Sequence, residues 1–304
     1  MDSPQKTEGA QRKDINSLLE SLRNGPLLAD GAIGTELQRL GLKPGECCEL
    51  WNIEHPDRVR SIHESYLRAG AQLITTNTFR GNRYALDYFG YGSRVREFNL
   101  AAVQLAREAA GENAWVMGSV GPFGGFISPF GDTSEESVYN WLLEQSSILL
   151  KGGVDAILIE TMTTVEEMRL AIRAARDAGA AIVIATMSFN KIDDDYKTMK
   201  GVTIEQGVEA MFDADVIGTN CGANLLPSDY PRIVERIRHR SDQPIIVQPN
   251  AGKPEILNGE IIYRQTPEMM ASVVKDLIKA GADIIGGCCG TTPEHIEAFR
   301  QALN

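Results

Sequence analysis

The chain has 304 residues, 43% of them hydrophobic and 23% charged, with 29 glycines and 13 prolines, the composition of a globular protein with a large core. Lys+Arg 30 against Asp+Glu 41 gives a formal charge of −11, which argues against a polyphosphate backbone and so against a nucleic-acid partner. No apolar run approaches the roughly 18–20 residues that span a bilayer. The N-terminal MDSPQKTEGAQRKD has no apolar h-region either, so the expectation is a soluble, cytoplasmic protein with no membrane partner.

Residues 1–14 are polar and read as a mobile tail, ahead of one continuous domain over 15–304. Within that domain a single unit recurs: an apolar-periodic helix ends in glycine, and a short β-rich run follows. The junctions are RAGAQLITTN (68–77), KGGVDAILIE (151–160), DAGAAIVIATMS (177–188) and KAGADIIGGC (279–288). Glycine supplies the left-handed helix end, and the apolar run reads as a buried parallel strand. With PLLADG, AWVMGSVG, ADVIGTN and QPIIVQPN, eight strands are predicted near 26–30, 72–77, 114–119, 154–160, 181–188, 215–219, 244–249 and 283–287. Thr266 before Pro267 and Thr292 before Pro293 each place a capping hydroxyl ahead of a proline at the first helical position. Residues 190–201, NKIDDDYKTMKG, read as a polar loop after the fifth strand.

Eight strands alternating with helices over this length predict an α/β fold, a single-domain (β/α)8 TIM barrel. The alternative is an open doubly wound sheet, which favours G-x-G-x-x-G after its first strand; DGAIGTE does not fit that pattern.

Barrel enzymes carry their active sites at the C-terminal strand ends. Those ends read Asp30, Asn77, Gly121, Glu160, Ser188, Asn220-Cys221, Asn250 and Gly287-Cys288-Cys289. Five cysteines are too few, and odd in number, for a disulfide scaffold, and four histidines (His55, His63, His239, His295) leave little for a multi-histidine metal site. Thiolates are the better metal candidates. Three thiols, Cys221, Cys288 and Cys289, share the rim. Neighbours in a regular strand face opposite ways, but Gly286, Gly287 and Gly290 permit the chain to leave the ladder and turn both sulfurs inward. Three thiolates with one open position would form a catalytic zinc site. Small buried hydrophobes, or a phosphate cradle in GGCCGTTPE, are the competing readings. Cys47-Cys48, in the loop after the first strand, reads as an exposed or packed pair. Asp30 and Glu160 are rim carboxylates with either a structural or a ligand-binding role, and Asn250 shapes a turn or bonds a ligand.

The segments LLADGAIGTELQRLG (27–41), ITTNTF (74–79), VGPFG (120–124), IETMTTVEE (159–167), GTNC (218–221), VQPNAGKP (247–254) and GGCCGTTPEHI (286–296) resemble the homocysteine S-methyltransferase family. Within it they are most similar to the homocysteine-binding modules of cobalamin-dependent methionine synthases. The resemblance implies a (β/α)8 barrel in which Cys221, Cys288 and Cys289 bind Zn2+ and act on substrate through it. It also implies that Asp30, Gly31 and Glu160 hold the amino-acid end of homocysteine, and that Asn250 lies close to the metal. The betaine-using branch has tyrosines where this chain has Thr161 and Arg80, and an arginine in a cation cage argues against betaine. VGPFGGFISPFGD is closer to the corrinoid-dependent loop. No corrinoid- or folate-binding domain is expected in this sequence, so the methyl donor would be a methylcorrinoid on a separate corrinoid protein, or a small sulfonium such as S-methylmethionine. The competing functions are methylation of another thiol in a corrinoid pathway and a non-catalytic thiolate zinc-binding subunit.

Overall fold

The computed structural model describes residues 16–303 other than 223, 258 and 259. The tail expected at 1–14 lies outside the described residues. Eight parallel strands form the barrel, numbered β1 (Leu27–Leu28), β2 (Leu73–Thr75), β3 (Trp115–Val120), β4 (Ala156–Met162), β5 (Val183–Met187), β6 (Val216–Cys221), β7 (Ile245–Pro249) and β8 (Ile284–Ile285). Hydrogen-bonded neighbours follow chain order from β2 to β8, and β8 pairs back onto β1. A parallel bridge between Ala29 and Leu73 joins β1 to β2, with Asp30 N–H donating to Leu73 O at 2.9 Å. The sheet therefore closes, and all eight predicted strands are present.

Alternation along each strand divides the core in two. Leu27, Ala29, Leu73, Trp115, Met117, Ala156, Leu158, Ile184, Val216, Ile246 and Ile284 form the barrel interior. Their neighbours Leu28, Ile74, Val116, Ile157, Val183, Ile217, Val247 and Ile285 pack outward under the helices. Both faces are thus apolar, which is why these strands read as continuous hydrophobic runs. The helix Asn16–Leu22 seals the lower end of the barrel, with buried Leu18 in the interior cluster and Leu19 and Leu22 packed against it. Burying one such leucine is worth about 1.5–3 kcal/mol.

The predicted helix ends hold: Gly70, Gly153 and Gly281 are left-handed C-caps. The Thr266 side chain accepts from Met269 N–H, with Pro267 in the first turn. The Thr292 hydroxyl departs from the expectation; it bonds the Glu294 carboxylate and His295 Nδ1. A second departure is the segment 190–201. It holds an antiparallel hairpin, Asn190–Ile192 with Asp195–Lys197, turning through Asp193 at φ 55°. Asp193 adopts the left-handed geometry because aspartate, like asparagine, tolerates it. Another hairpin, Glu255–Leu257 with Glu260–Ile262, follows β7.

Candidate functional site

Continuing the inward parity one step above the apolar interior brings Thr75, Ser119, Glu160, Thr186, Asn220 and Gln248 to the mouth of the barrel, a polar layer on an apolar plug. Glu160 belongs to this layer but stands at an irregularity: the β4–β5 register shifts between Ile159 and Met162, and Thr161 has φ 64°. A bulge of this kind re-aims a side chain beside a site. Ser119 Oγ donates to Glu160 Oε1 at 2.5 Å, and Asn220 Nδ2 lies 3.4 Å from Oε2. Burial raises the Glu160 pKa to about 7, against the lowering effect of the Ser119 bond, with the Cys221 sulfur adding to the rise.

Asp30 is fully buried. Thr75 N–H donates to its Oδ2 at 2.7 Å and Thr75 Oγ1 to its Oδ1 at 2.9 Å. Burial lifts its pKa to about 7; the Thr75 bonds oppose the shift and the Glu160 charge adds to it. The two carboxylates are therefore neighbours at the mouth, one deep and one lining the opening. Gly31 follows directly, and no larger residue fits there: a Cβ would lie 2.7 Å from Thr291 Oγ1 and 2.8 Å from the Tyr66 ring.

The three predicted metal ligands come together. The Sγ atoms of Cys221, Cys288 and Cys289 all lie within 4.8 Å of one another. Cys221 has outward parity in β6, but its φ of 61° breaks the alternation. Such a conformation in a non-glycine residue costs of order 1–3 kcal/mol and persists only where its surroundings impose it. Tyr230 is part of that restraint: its hydroxyl donates to Cys221 O and accepts from Asn250 N–H at 3.4 Å. The Cys288-Cys289 loop is sutured on both sides. Gly287 N–H donates to Asp30 O at 2.9 Å, Cys288 N–H to Pro249 O at 2.8 Å, and Ala251 N–H to Cys289 O at 2.9 Å. Thr291 Oγ1 donates to Cys288 O at 2.7 Å and accepts from Ala32 N–H at 3.1 Å. The loop's final glycine, Gly290, has φ +82° and lies against the Tyr263 ring, where a Cβ would be 2.1 Å from Cγ.

Asn250 is beside the thiols, its Nδ2 3.5 Å from Cys221 Sγ and 3.3 Å from Gly222 O. Its Oδ1 is buried without a hydrogen-bond partner. Hydrogen bonds from Cys288 and Cys289 pull the Cys221 thiol well below its usual range, and the same contact with Cys221 pushes Cys288 and Cys289 up. Three sulfurs within 4.8 Å of one another, with an orphaned amide oxygen nearby, are a donor set that fits a thiophilic cation. Asn77, also a predicted rim residue, is spent on structure: its Nδ2 donates to Cys48 O at 2.8 Å and to Asn52 Oδ1 at 3.0 Å. Sequence reading missed Tyr230, Tyr263, Thr291 and the part played by Asn220. For Asn220 the signal was available, since counting by two from the inward Val216 reaches it.

A closed (β/α)8 barrel whose mouth presents a three-thiol cluster beside buried carboxylates defines an α/β enzyme able to hold a metal through sulfur. The chain belongs to the homocysteine S-methyltransferase family, whose model matches residues 27–303. It is 30% identical over 314 residues to a methionine synthase of Mycobacterium leprae, covering 98% of this chain and 26% of that protein. A methionine synthase of Mycobacterium tuberculosis is 29% identical over 303 residues, covering 94% and 25%. The chain spans about a quarter of the length of these relatives. Among solved structures, the metallated homocysteine methyltransferase MmuM from Escherichia coli superposes with TM-score 0.76 at 24% identity, covering 94% of this chain and 99% of that one. The carboxyl transferase domain of Rhizobium etli pyruvate carboxylase reaches 0.53 at 16% identity, covering 99% and 53%. These likenesses speak to the barrel fold. Among the described residues, no helix is long and apolar enough to cross a membrane.

Proposed function

We propose that this chain methylates homocysteine to methionine, with zinc held by Cys221, Cys288 and Cys289 and the amino-acid end of the substrate held by Glu160, Asp30 and Gly31. The observation that carries the reading is the convergence of three sulfurs within 4.8 Å at the mouth of a barrel of this family. Zinc in such a site supplies Lewis acidity, so that a coordinated thiol is deprotonated at neutral pH, where an unperturbed thiol with pKa about 8.5 is mostly protonated. The residues of the chain do the rest. Glu160, half-buried and lining the opening, receives the α-ammonium. Asp30, buried beneath it, adds negative charge, and the Gly31 N–H suits the α-carboxylate. Asn250 stands beside the thiols, with its amide Nδ2 3.5 Å from Cys221 Sγ and able to orient that sulfur. In the transfer itself the sulfur lone pair forms the S–C bond as the donor–methyl bond breaks, and its electrons leave with the donor. No residue is asked to move a proton in that step.

Arg80 lies over the Tyr88 and Phe89 rings at 5.9 and 5.3 Å. The position after Phe79 is thus held by a cation where a quaternary-ammonium cage would need an aromatic ring, which speaks against a donor such as betaine. The donors this reading favours are a methylcorrinoid and a small sulfonium such as S-methylmethionine.

The test is metal analysis of the purified chain followed by a donor panel with homocysteine: methylcobalamin, a methylated corrinoid protein, S-methylmethionine, S-adenosylmethionine and betaine. About one zinc per chain is expected, with methionine formed from a corrinoid or S-methylmethionine. Bound zinc without methionine from any donor would make the chain a non-catalytic zinc subunit. A strong preference for a thiol lacking the α-amino group would move the reaction to another substrate.

A further inference from the structure

The amide of Asn220 touches both halves of this site. It is buried at the end of β6, directly before Cys221. Its Oδ1 accepts from Thr161 N–H at 2.8 Å and from Thr186 Oγ1 at 2.8 Å. A backbone N–H can only donate, so the atom facing Thr161 must be the oxygen, and two donors fill its two lone pairs. The NH2 end is thereby fixed toward the opposite side. There it finds Thr161 Oγ1 at 2.8 Å, Glu160 Oε2 at 3.4 Å and Cys288 Sγ at 3.7 Å. Residues from β4, β5 and β6 and from the thiol loop after β8 thus meet on one side chain, across sequence separations of 34 to 68 residues.

We infer that Asn220 is a positioning residue that couples Cys288, a proposed metal ligand, to Glu160, the proposed substrate carboxylate: Thr161 Oγ1 takes one of its two amide hydrogens, and the other is turned toward the Glu160 carboxylate and the Cys288 sulfur together. The inference rests on the proposed function and deepens it. An N–H directed at a thiolate takes up part of its negative charge, and the same group directed at Glu160 holds that carboxylate toward the opening. Groups that orient metal ligands in this way typically contribute about 10–100-fold to metal affinity or activity. Two consequences separate the arms. The sulfur arm acts on any thiol substrate, because it changes the metal site. The carboxylate arm acts on homocysteine alone, because simple alkylthiols have no ammonium to place.

The experiment uses the full chain with zinc replaced by Co2+, whose sulfur-to-metal charge-transfer absorption reports the electron density on the thiolates. In Asn220→Ala that band should move to longer wavelength, because the sulfur loses its N–H. Chelator competition should show a loss of zinc affinity of roughly 10-fold or more. The KM for homocysteine should rise by a similar factor, and the KM for a simple alkylthiol should change far less. Thr186→Val removes one of the two donors that orient the amide, is nearly isosteric, and touches neither sulfur nor Glu160. It should move the band and the homocysteine KM in the same directions by smaller amounts, and it decides the matter if Asn220→Ala does not fold. An unshifted band and an unchanged homocysteine KM in folded, metal-loaded variants would overturn the inference while leaving the proposed function standing. A wild-type chain that takes up neither zinc nor Co2+, or that loads metal and makes no methionine, would overturn the proposed function and this inference with it.

Discussion

The chain contains the Cys-Cys dipeptide twice, in loops that both follow barrel strands, and the two copies have opposite fates. Cys47 is buried in a small cluster with Leu86, Val95, Phe98 and Ile148, and Cys48 packs against the main core. Burial and the adjacent Glu49 push both thiols up to about 12. Cys47 Sγ bonds Glu49 Oε2 at 3.5 Å. These are packed side chains whose thiols are held protonated by their surroundings. Cys288 and Cys289, by contrast, meet a third sulfur. The dipeptide itself carries no chemistry. What separates the copies is a distant residue, Cys221, held at positive φ so that its sulfur joins the other two.

The sharpest way to break this comparison is to delete one sulfur from each copy. Cys288→Ser should lose its zinc and with it methyl transfer, whereas Cys48→Ser should keep about one zinc per chain. Metal analysis reads both, and zinc lost from Cys48→Ser would place the first pair in the site after all.

Each pair also adjoins a carboxylate, Glu49 buried and Glu160 half-buried, which allows the same neutral substitution beside both. Truncating one partner of a buried charged hydrogen bond costs about 2–5 kcal/mol, or roughly 30-fold and upward in affinity. Glu160→Gln should therefore raise the homocysteine KM by that factor and keep its zinc. Glu49 accepts from Arg80 N–H at 2.7 Å and faces Cys47, so Glu49→Gln should leave that KM unchanged and register only in thermal stability. The Glu160 effect has a pH signature. Its folded pKa of about 7 lies above the ordinary carboxylate value of 4.5. The ionised form is thus disfavoured in the folded chain, and this group's contribution to stability falls as pH rises from 4.5 to 7. Binding an ammonium needs the ionised form, so homocysteine affinity should rise as pH passes upward through 7, and Glu160→Gln should flatten that rise.

The smallest effect expected comes from the glycines beside the two pairs. Gly45 (φ +86°) has nothing within 4 Å of a built Cβ, while Gly290 (φ +82°) has the Tyr263 ring at 2.1 Å. Gly45→Ala should cost only the left-handed strain of about 1–2 kcal/mol. Gly290→Ala adds displacement of Tyr263 and should lower Tm further and loosen metal binding. Equal Tm shifts in the two variants would mean that the Tyr263 contact contributes nothing to the loop.

The eight strands and their order were legible in the sequence because both faces of each strand are buried, which writes a continuous apolar run, and because glycines such as Gly70, Gly153 and Gly281 mark helix ends. Cys221, Cys288, Cys289, Asp30, Glu160 and Asn250 were legible as rim residues by position, since a barrel puts every strand end on one face. The helix Asn16–Leu22 was not legible as the lower seal of the barrel: its leucines look like those of any amphipathic helix, and only the open end of the interior gives Leu18 its place. The two hairpins escaped for a related reason: strands of three residues are too short to write an apolar period.

What the sequence determined by itself is therefore the set of elements, their cyclic order and the side of the barrel on which the polar residues gather. Those properties follow from local periodicity and from covalent neighbours. Only the tertiary structure decided which polar residues meet. The inward turn of Cys221, the bulge that aims Glu160, the orientation of Asn220 between Thr161, Thr186 and Cys288, and the burial of Cys47-Cys48 all depend on contacts between strands and loops far apart in the chain. A hydrogen bond or a thiol's environment is set by what packs against it in space, and a one-dimensional pattern fixes that only once the barrel has closed.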